Sequence, residues 1–373
     1  TVTDPRPRLP RPSCADLPIT ETPLNLHGTL EETFRAIRDH RPLDLSIPAW
    51  RTHRGDDHAT WSGTVRRHVL DHLHYDAGPL DLRAETLSRE PREGYVLERI
   101  RFHTAPWFRL DGALLLPEAG PRPAPALVCL HDWGGPMLWG RDRIVPTDRD
   151  HPLLVAHRAE AYGGRWLTET FARRGYAVLV VDGFHFGDRC PRGLGGIPAD
   201  LDPYALDEAD ARAMGERASA LVYRSVKQLM WAGSTWMGLV LNDDRRCIDY
   251  LRSRPEIDGE RIGCTGLSGG AWRTNFLAAL DPRIRASVSV GWMTTGDHQQ
   301  GYNVNGAIGS FCLLPGVWDR LDLPDIPPLN PACATLVVVG RRDDLFPRNG
   351  VREAASRLAE GFGRDGPIVP LDV

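Results

Sequence analysis

Ser268 lies between Gly266 and Gly270 in the stretch Arg261-Ile262-Gly263-Cys264-Thr265-Gly266-Leu267-Ser268-Gly269-Gly270-Ala271-Trp272. The apolar run Ile262 to Thr265 predicts a buried strand, and Trp272 to Leu280 predicts a helix ended by Asp281-Pro282. A serine on a sharp strand-to-helix turn is a nucleophile elbow. The strained backbone lifts the hydroxyl above the sheet edge, and glycines flank it because a Cβ would strike the neighbouring elements. The Gly269 N–H and the helix N-terminus would then face an oxyanion developing on a bound carbonyl. The plain alternative is a glycine-rich turn that carries a serine by chance; the strand-then-helix context argues against it.

Three other loops carry matching chemistry. Ala124–Leu130 predicts a central strand, and His131-Asp132-Trp133-Gly134-Gly135 follows it. Such a loop supplies the second oxyanion donor; Trp133 is the candidate, and the two glycines let backbone approach a substrate. His131 is read as a structural hydrogen-bonder of this loop rather than a proton shuttle. After the strand Thr335–Val339, Gly340-Arg341-Arg342-Asp343-Asp344-Leu345-Phe346-Pro347 offers a carboxylate that would orient an imidazole. Asp343 is the candidate and Asp344 the fallback, with a helix N-cap as the ordinary role of either. Asp182 to Arg189, after the strand Ala177–Val181, is read as a pocket wall in which Arg189 pairs with Asp188 or Asp182. His131, Asp132, His185, Trp272, Trp292 and His298 are the candidate wall residues. Tryptophans 133, 139, 236, 272, 292 and 318 either line an apolar or sugar-stacking pocket or pack the core.

The missing piece is a base. No histidine follows His298, and the expectation is that the imidazole lies beyond Val373, with His298 or His185, both in loops after strands, as substitutes. Without an imidazole the hydroxyl stays protonated, and activity falls by several orders of magnitude.

Composition narrows the classes. Among 373 residues, 45 basic side chains face 49 acidic ones, a net charge of −4, with no basic face for nucleic acid and no acidic tail. The seven cysteines form no Cys-x-x-Cys pair; Cys129, Cys247 and Cys264 fall in apolar patterns and read as buried thiols, which favours a reducing compartment. No apolar run has membrane-spanning length and the N-terminus lacks a signal core, so the expectation is a cytoplasmic protein. His68 and His72 have i, i+4 spacing with His74 nearby, yet no Glu follows His68, so they read as a solvated helical face rather than a metal site.

The positioning elements follow from periodicity. A proline-rich arm over 1–26 precedes helices at Thr29–Arg38, with Thr29 and Glu32 as a capping box, and Trp61–His74. Tyr95–His103 and Trp107–Leu116 predict an antiparallel pair. Helices are expected at Leu167–Arg174, at Val351–Ala359 and as one long tract at 218–252, with strands at Ala286–Val290 and Ile368–Leu371. Apolar runs alternating with helices predict an α/β fold with a mostly parallel, doubly wound sheet. The domains expected are an arm and helical extension at 1–94 and a catalytic domain at 95–373, with rim insertions at about 136–164, 183–217 and 293–330.

Taken together, His131-Asp132-Trp133-Gly134-Gly135, Gly266-Leu267-Ser268-Gly269-Gly270, Val290-Gly291-Trp292-Met293-Thr294-Thr295 and Gly340-x-x-Asp343-x-Leu345-Phe346-Pro347 resemble the α/β-hydrolase superfamily, with the nearest look to bacterial acetyl xylan esterase-like and dienelactone hydrolase-like serine esterases. The resemblance covers roughly 95–373 and implies Ser268 as nucleophile, Asp343 as triad acid, and Trp133 with Gly269 as oxyanion donors. It implies no metal or organic cofactor. The chain departs from it in the absent histidine. The expected function is cleavage of a carboxylic ester through an acyl-enzyme, as in deacetylation of a carbohydrate or natural product. The alternatives are a peptidase, amidase or acyl transferase, and a non-catalytic ligand-binding protein of the same fold. The expected partner is a small-molecule ester, with no nucleic acid and no membrane; a homo-oligomer is left open.

Overall fold

A computed structural model describes residues 30–52, 57–304 and 308–363. The Thr29 capping box, the arm over 1–26 and the strand expected at Ile368–Leu371 lie outside them. The chain divides between Pro42 and Leu43 into two compact units. The first contributes helix α1 (Leu30–Asp39); everything that follows concerns the second, which opens with helix α2 (Ile47–Thr52).

Eight strands form one sheet, β1 (Glu85–Arg92), β2 (Tyr95–Ala105), β3 (Phe108–Pro117), β4 (Ala124–Leu130), β5 (Ala177–Val181), β6 (Ile257–Leu267), β7 (Ile284–Val290) and β8 (Ala334–Val338), in the order β1-β2-β3-β5-β4-β6-β7-β8. The β1-β2-β3-β5 pairs are antiparallel, and β5, β4, β6, β7 and β8 run parallel. The chain leaves β4 toward β5 and then returns to the other side of β4 for β6, so the sheet switches direction between β4 and β6. Ligands of open α/β sheets bind outside the carboxyl ends of strands at such a point. The α/β expectation holds.

Side chains alternate across the sheet, so each strand feeds two cores. On one face Val128, Leu130, Leu179 and Val181 join a cluster that takes in Trp61, Val65 and Val69 of α3 (His58–His72) and the apolar sides of α7 (Trp236–Ser253) and α8 (Gly269–Leu280). On the other, Cys129, Val178 and Val180 pack with Ile144, Val145 and Ala172, the last from α5 (Leu167–Ala172). Helix α3 therefore shares the core of the sheet, and the compact unit begins well before the boundary expected at 94. Its His68 Nε2 donates to the Gly316 carbonyl at 2.7 Å rather than facing water alone. Cys129, Cys247 and Cys264 are buried free thiols, as their apolar setting predicts.

Two elements differ from expectation. The tract over 218–252 is two helices, α6 (Glu208–Trp231) and α7. Gly233 takes φ +77° after α6, and the Thr235 hydroxyl caps α7 by accepting the Gly238 N–H at 3.0 Å. Strand β1 was not anticipated. Its sequence Glu-Thr-Leu-Ser-Arg-Glu-Pro-Arg is mostly exposed at the sheet edge and carries no apolar alternation to reveal it. The insertions at the carboxyl rim hold α4 (Pro152–Tyr162) and α5 after β4, α6 and α7 after β5, and α9 (Gly296–Tyr302) after β7; α10 (Arg348–Gly361) follows β8.

Candidate active site

The turn from β6 to α8 places Ser268 at φ +55°, ψ −117°, a backbone region that costs a side-chain-bearing residue of order 1–3 kcal/mol. It is held there from both sides. The Ser268 N–H donates to the Val290 carbonyl at 2.8 Å, and the Ser268 carbonyl accepts from the Trp272 N–H at 3.0 Å, starting α8. Every residue of α8 is buried, so the helix cannot shift to relieve the turn. A Cβ on Gly270 would lie 2.0 Å from the Leu130 carbonyl oxygen, and one on Gly266 2.4 Å from Gly270. The glycines are thus required by close approach of β4 and α8. Ser268 itself is half-buried and reaches the surface.

β4 pairs with β6 up to Leu130↔Gly266, so the loop after β4 lies directly over the serine turn. A Cβ on Gly269 would meet Trp133 Cβ at 2.6 Å and the Trp133 backbone nitrogen at 3.1 Å. The backbone of Trp133 therefore crosses Gly269 in near contact, and the two amides expected to hold an oxyanion are neighbours. The loop is densely bonded. Nδ1 of His131 bonds the Asp132 carbonyl at 2.8 Å, and Nε2 accepts from the Gly183 N–H at 2.9 Å. That pattern needs the neutral ring with its proton on Nδ1, and burial, helped by the Arg143 and Arg273 charges, pushes the imidazole down to about 3. His131 is thus committed to the loop. The Asp132 carboxylate takes the Tyr162 hydroxyl at 2.7 Å, Arg143 Nη1 at 2.9 Å and His157 Nε2 at 3.1 Å. Burial opposes its charge, but the Arg143 guanidinium with His157 and Tyr162 outweighs burial and holds it well below the usual carboxylate range.

Asp343 follows β8 at the same, carboxyl end of the parallel strands as Ser268. Its N–H closes a turn onto the Gly340 carbonyl at 3.2 Å, and its Oδ1 accepts the Leu345 N–H at 3.0 Å. Among the described residues it has no basic partner. Burial raises its carboxyl above the usual range, with the Leu345 N–H opposing and the Asp344 charge adding. Asp344 is exposed. The Leu345 carbonyl accepts from the Gln299 side chain of α9 at 2.9 Å, and Phe346 packs on Trp292 at 5.0 Å between centroids.

The remaining wall candidates separate. Trp272 and Trp292 are buried and pack on each other at 4.7 Å. Trp133 joins Trp236 and Phe311 at 5.2 and 4.7 Å, an aromatic layer behind the loop that follows β4. His185 is buried at φ +77° with neither ring nitrogen bonded. His298 is half-buried, its Nδ1 2.7 Å from the Thr295 hydroxyl and 3.4 Å from Glu353 of α10. None of these histidine contacts is with Ser268 or Asp343. The pairing expected of Arg189 is corrected: its ion pair is with Asp243 at 2.8 Å, and it reaches Asp182 only at the backbone carbonyl, at 3.3 Å, because Arg141 already occupies the carboxylates of Asp182 and Asp188, at 2.5 and 2.6 Å. A cavity of about 320 Å³ beyond the end of β5, lined by Phe108, Phe184 and Arg189 among others, opens on the same rim. Sequence reasoning missed Arg143, His157 and Tyr162, whose shared partner Asp132 is 11 to 30 positions away in the chain.

This sheet order, with its switch beside a strand-turn-helix serine, is that of the α/β hydrolases, and comparison with solved structures bears out that fold. A "putative acetyl xylan esterase" of Bacteroides fragilis NCTC 9343 superposes with a TM-score of 0.67 at 16% identity, over 91% of this chain and 79% of that one. A glucuronoyl esterase from Solibacter usitatus gives a TM-score of 0.55 at 17% identity, over 85% and 81%. In sequence, the chain is 23% identical over 285 residues to "Putative hydrolase YtaP" of Bacillus subtilis (strain 168), covering 76% of this chain and 81% of that protein. No protein-family model matches the chain.

Proposed function

We propose that the chain is a serine hydrolase that cleaves a carboxylic ester, with a carbohydrate acetyl ester as the leading substrate class. The observation that carries the reading is Ser268, half-exposed at φ +55° with Gly269 pressed against the Trp133 backbone. In this reading the Ser268 oxygen attacks the carbonyl carbon, and the oxyanion rests on the Trp133 and Gly269 N–H groups. The alcohol leaves with a proton, and water then releases the acid from the acyl-enzyme. Asp343 orients the base that exchanges these protons. The names of the similar esterases and of the Bacillus relative support the ester class.

One observation favours a second reading, a ligand-binding protein without turnover: two rim histidines are bonded elsewhere, His131 to its own loop and His298 to Thr295, and His185 is buried with neither nitrogen bonded. A fluorophosphonate probe separates the two. Phosphonylation of Ser268, with loss of fluoride, together with p-nitrophenyl acetate hydrolysis that Ser268→Ala abolishes, is the expected result. Inertness of the folded protein to both reagents favours the binder.

A further inference from the structure

Arg143 is a fully buried arginine in the rim insertion after β4, and the mechanism above makes no use of it. A guanidinium has five N–H donors and no acceptor, and burying it is expensive unless most donors are used. Here all the partners come from one short loop. Nε donates to the Trp139 carbonyl at 2.8 Å and Nη2 to the Pro136 carbonyl at 2.8 Å. Nη1 reaches the Asp132 carbonyl at 3.0 Å, the Asp132 carboxylate at 2.9 Å and the Gly134 carbonyl. The ring of Phe186 lies 4.8 Å beneath the guanidinium carbon.

The carbonyl of Asp132 belongs to the same peptide plane as the N–H of Trp133. In a planar trans peptide the two point in opposite directions. Holding the carbonyl toward Arg143 therefore aims the N–H away from it, and the Trp133 nitrogen lies, with its Cα and Cβ, against Gly269 beside the serine turn. Two donors grip that carbonyl, Arg143 Nη1 and His131 Nδ1. A cation bonded to the carbonyl also polarises the amide and strengthens its N–H as a donor. We propose that Arg143 is a positioning residue for the oxyanion site, fixing the direction of the Trp133 N–H through the Asp132 carbonyl with His131 as its second clamp.

This rests on the ester-hydrolase reading, and p-nitrophenyl acetate kinetics test the two separately. Arg143→Lys keeps the charge but loses the fork; kcat is expected to fall on the order of 10- to 100-fold with KM within about twofold, since the loss appears only where charge develops on oxygen. The His131 pair covers the case in which Arg143→Lys does not fold. His131→Gln gives up the Nδ1 donor and lowers kcat by about 10-fold, whereas His131→Asn, whose amide nitrogen overlays Nδ1, restores it. A folded Arg143→Lys, or a folded His131→Gln, with kcat within about twofold of wild type overturns the proposal. A rise in KM at unchanged kcat also overturns it. Wild-type protein inert to the ester and to fluorophosphonate overturns the hydrolase reading instead.

Discussion

In the loop after β4, the Asp132 carboxylate is bonded to Arg143, His157 and Tyr162; in the loop after β8, the Asp343 carboxylate accepts, among the described residues, a single backbone N–H, from Leu345. Both aspartates stand at the rim that carries Ser268. One is buried and charged by its partners, the other is partly exposed and has its carboxyl pushed upward by burial. On the proposed hydrolase reading, the difference separates the tasks of the two loops. A backbone N–H can stabilise an oxyanion only if it is already aimed, so its loop is over-determined. The carboxylate proposed to orient a base has no such set of partners among the described residues, and its loop is anchored at Phe346 and Leu345 rather than at the acid itself.

The largest effect that would break this comparison is on turnover. Asp343→Asn is expected to lower kcat for p-nitrophenyl acetate by about 10³- to 10⁴-fold, with the midpoint of thermal unfolding nearly unchanged. Asp344→Asn should stay within about twofold. Equal losses from the two variants would remove Asp343 from its role. Next in size is stability: Asp132→Ala leaves a buried guanidinium without its carboxylate and should cost about 3–5 kcal/mol in urea unfolding, against about 0.5 kcal/mol for Asp343→Ala. Similar costs at the two positions would erase the contrast.

Smaller effects sharpen it through pH. Burial lowers His131 to about 3, and burial with the Arg189 charge lowers His185 to about 4, from an ordinary 6.5. The unfolded chain therefore binds more protons, so stability is complete above about pH 6.5 and declines as pH falls toward 3. Asp343, raised, acts in the opposite direction, favouring the fold more at low pH. His185→Phe removes two unbonded buried nitrogens; it should raise stability by about 1 kcal/mol at pH 7 and flatten the acid decline between pH 6.5 and 4. A less stable His185→Phe protein would mean that the imidazole has partners in solution.

Much of the site was legible because its requirements are local. A strand's apolar run, a serine between glycines and a following helix occupy a dozen consecutive residues, and β4 and β5 begin and end where the apolar runs do. Strand β1 escaped because a solvated edge carries little hydrophobic pattern, and the break at Gly233 escaped inside a tract of good helix formers. Tryptophans 272 and 292 could be placed near the rim but not sorted between wall and core, since both roles use the same residue type.

By itself the sequence determined the order of strands β2 to β8, the identity of the hydroxyl on the turn, and which loops could supply amides and a carboxylate, because each depends on residues adjacent in the chain. Only tertiary structure decided that Arg143 grips the Asp132 carbonyl, that Arg189 turns to Asp243 while Arg141 takes Asp182 and Asp188, and that Trp133 lies across Gly269. These choices are competitions among like charges and donors for a limited set of buried partners. The winner is set by which strands lie side by side, a quantity that no window of consecutive residues contains.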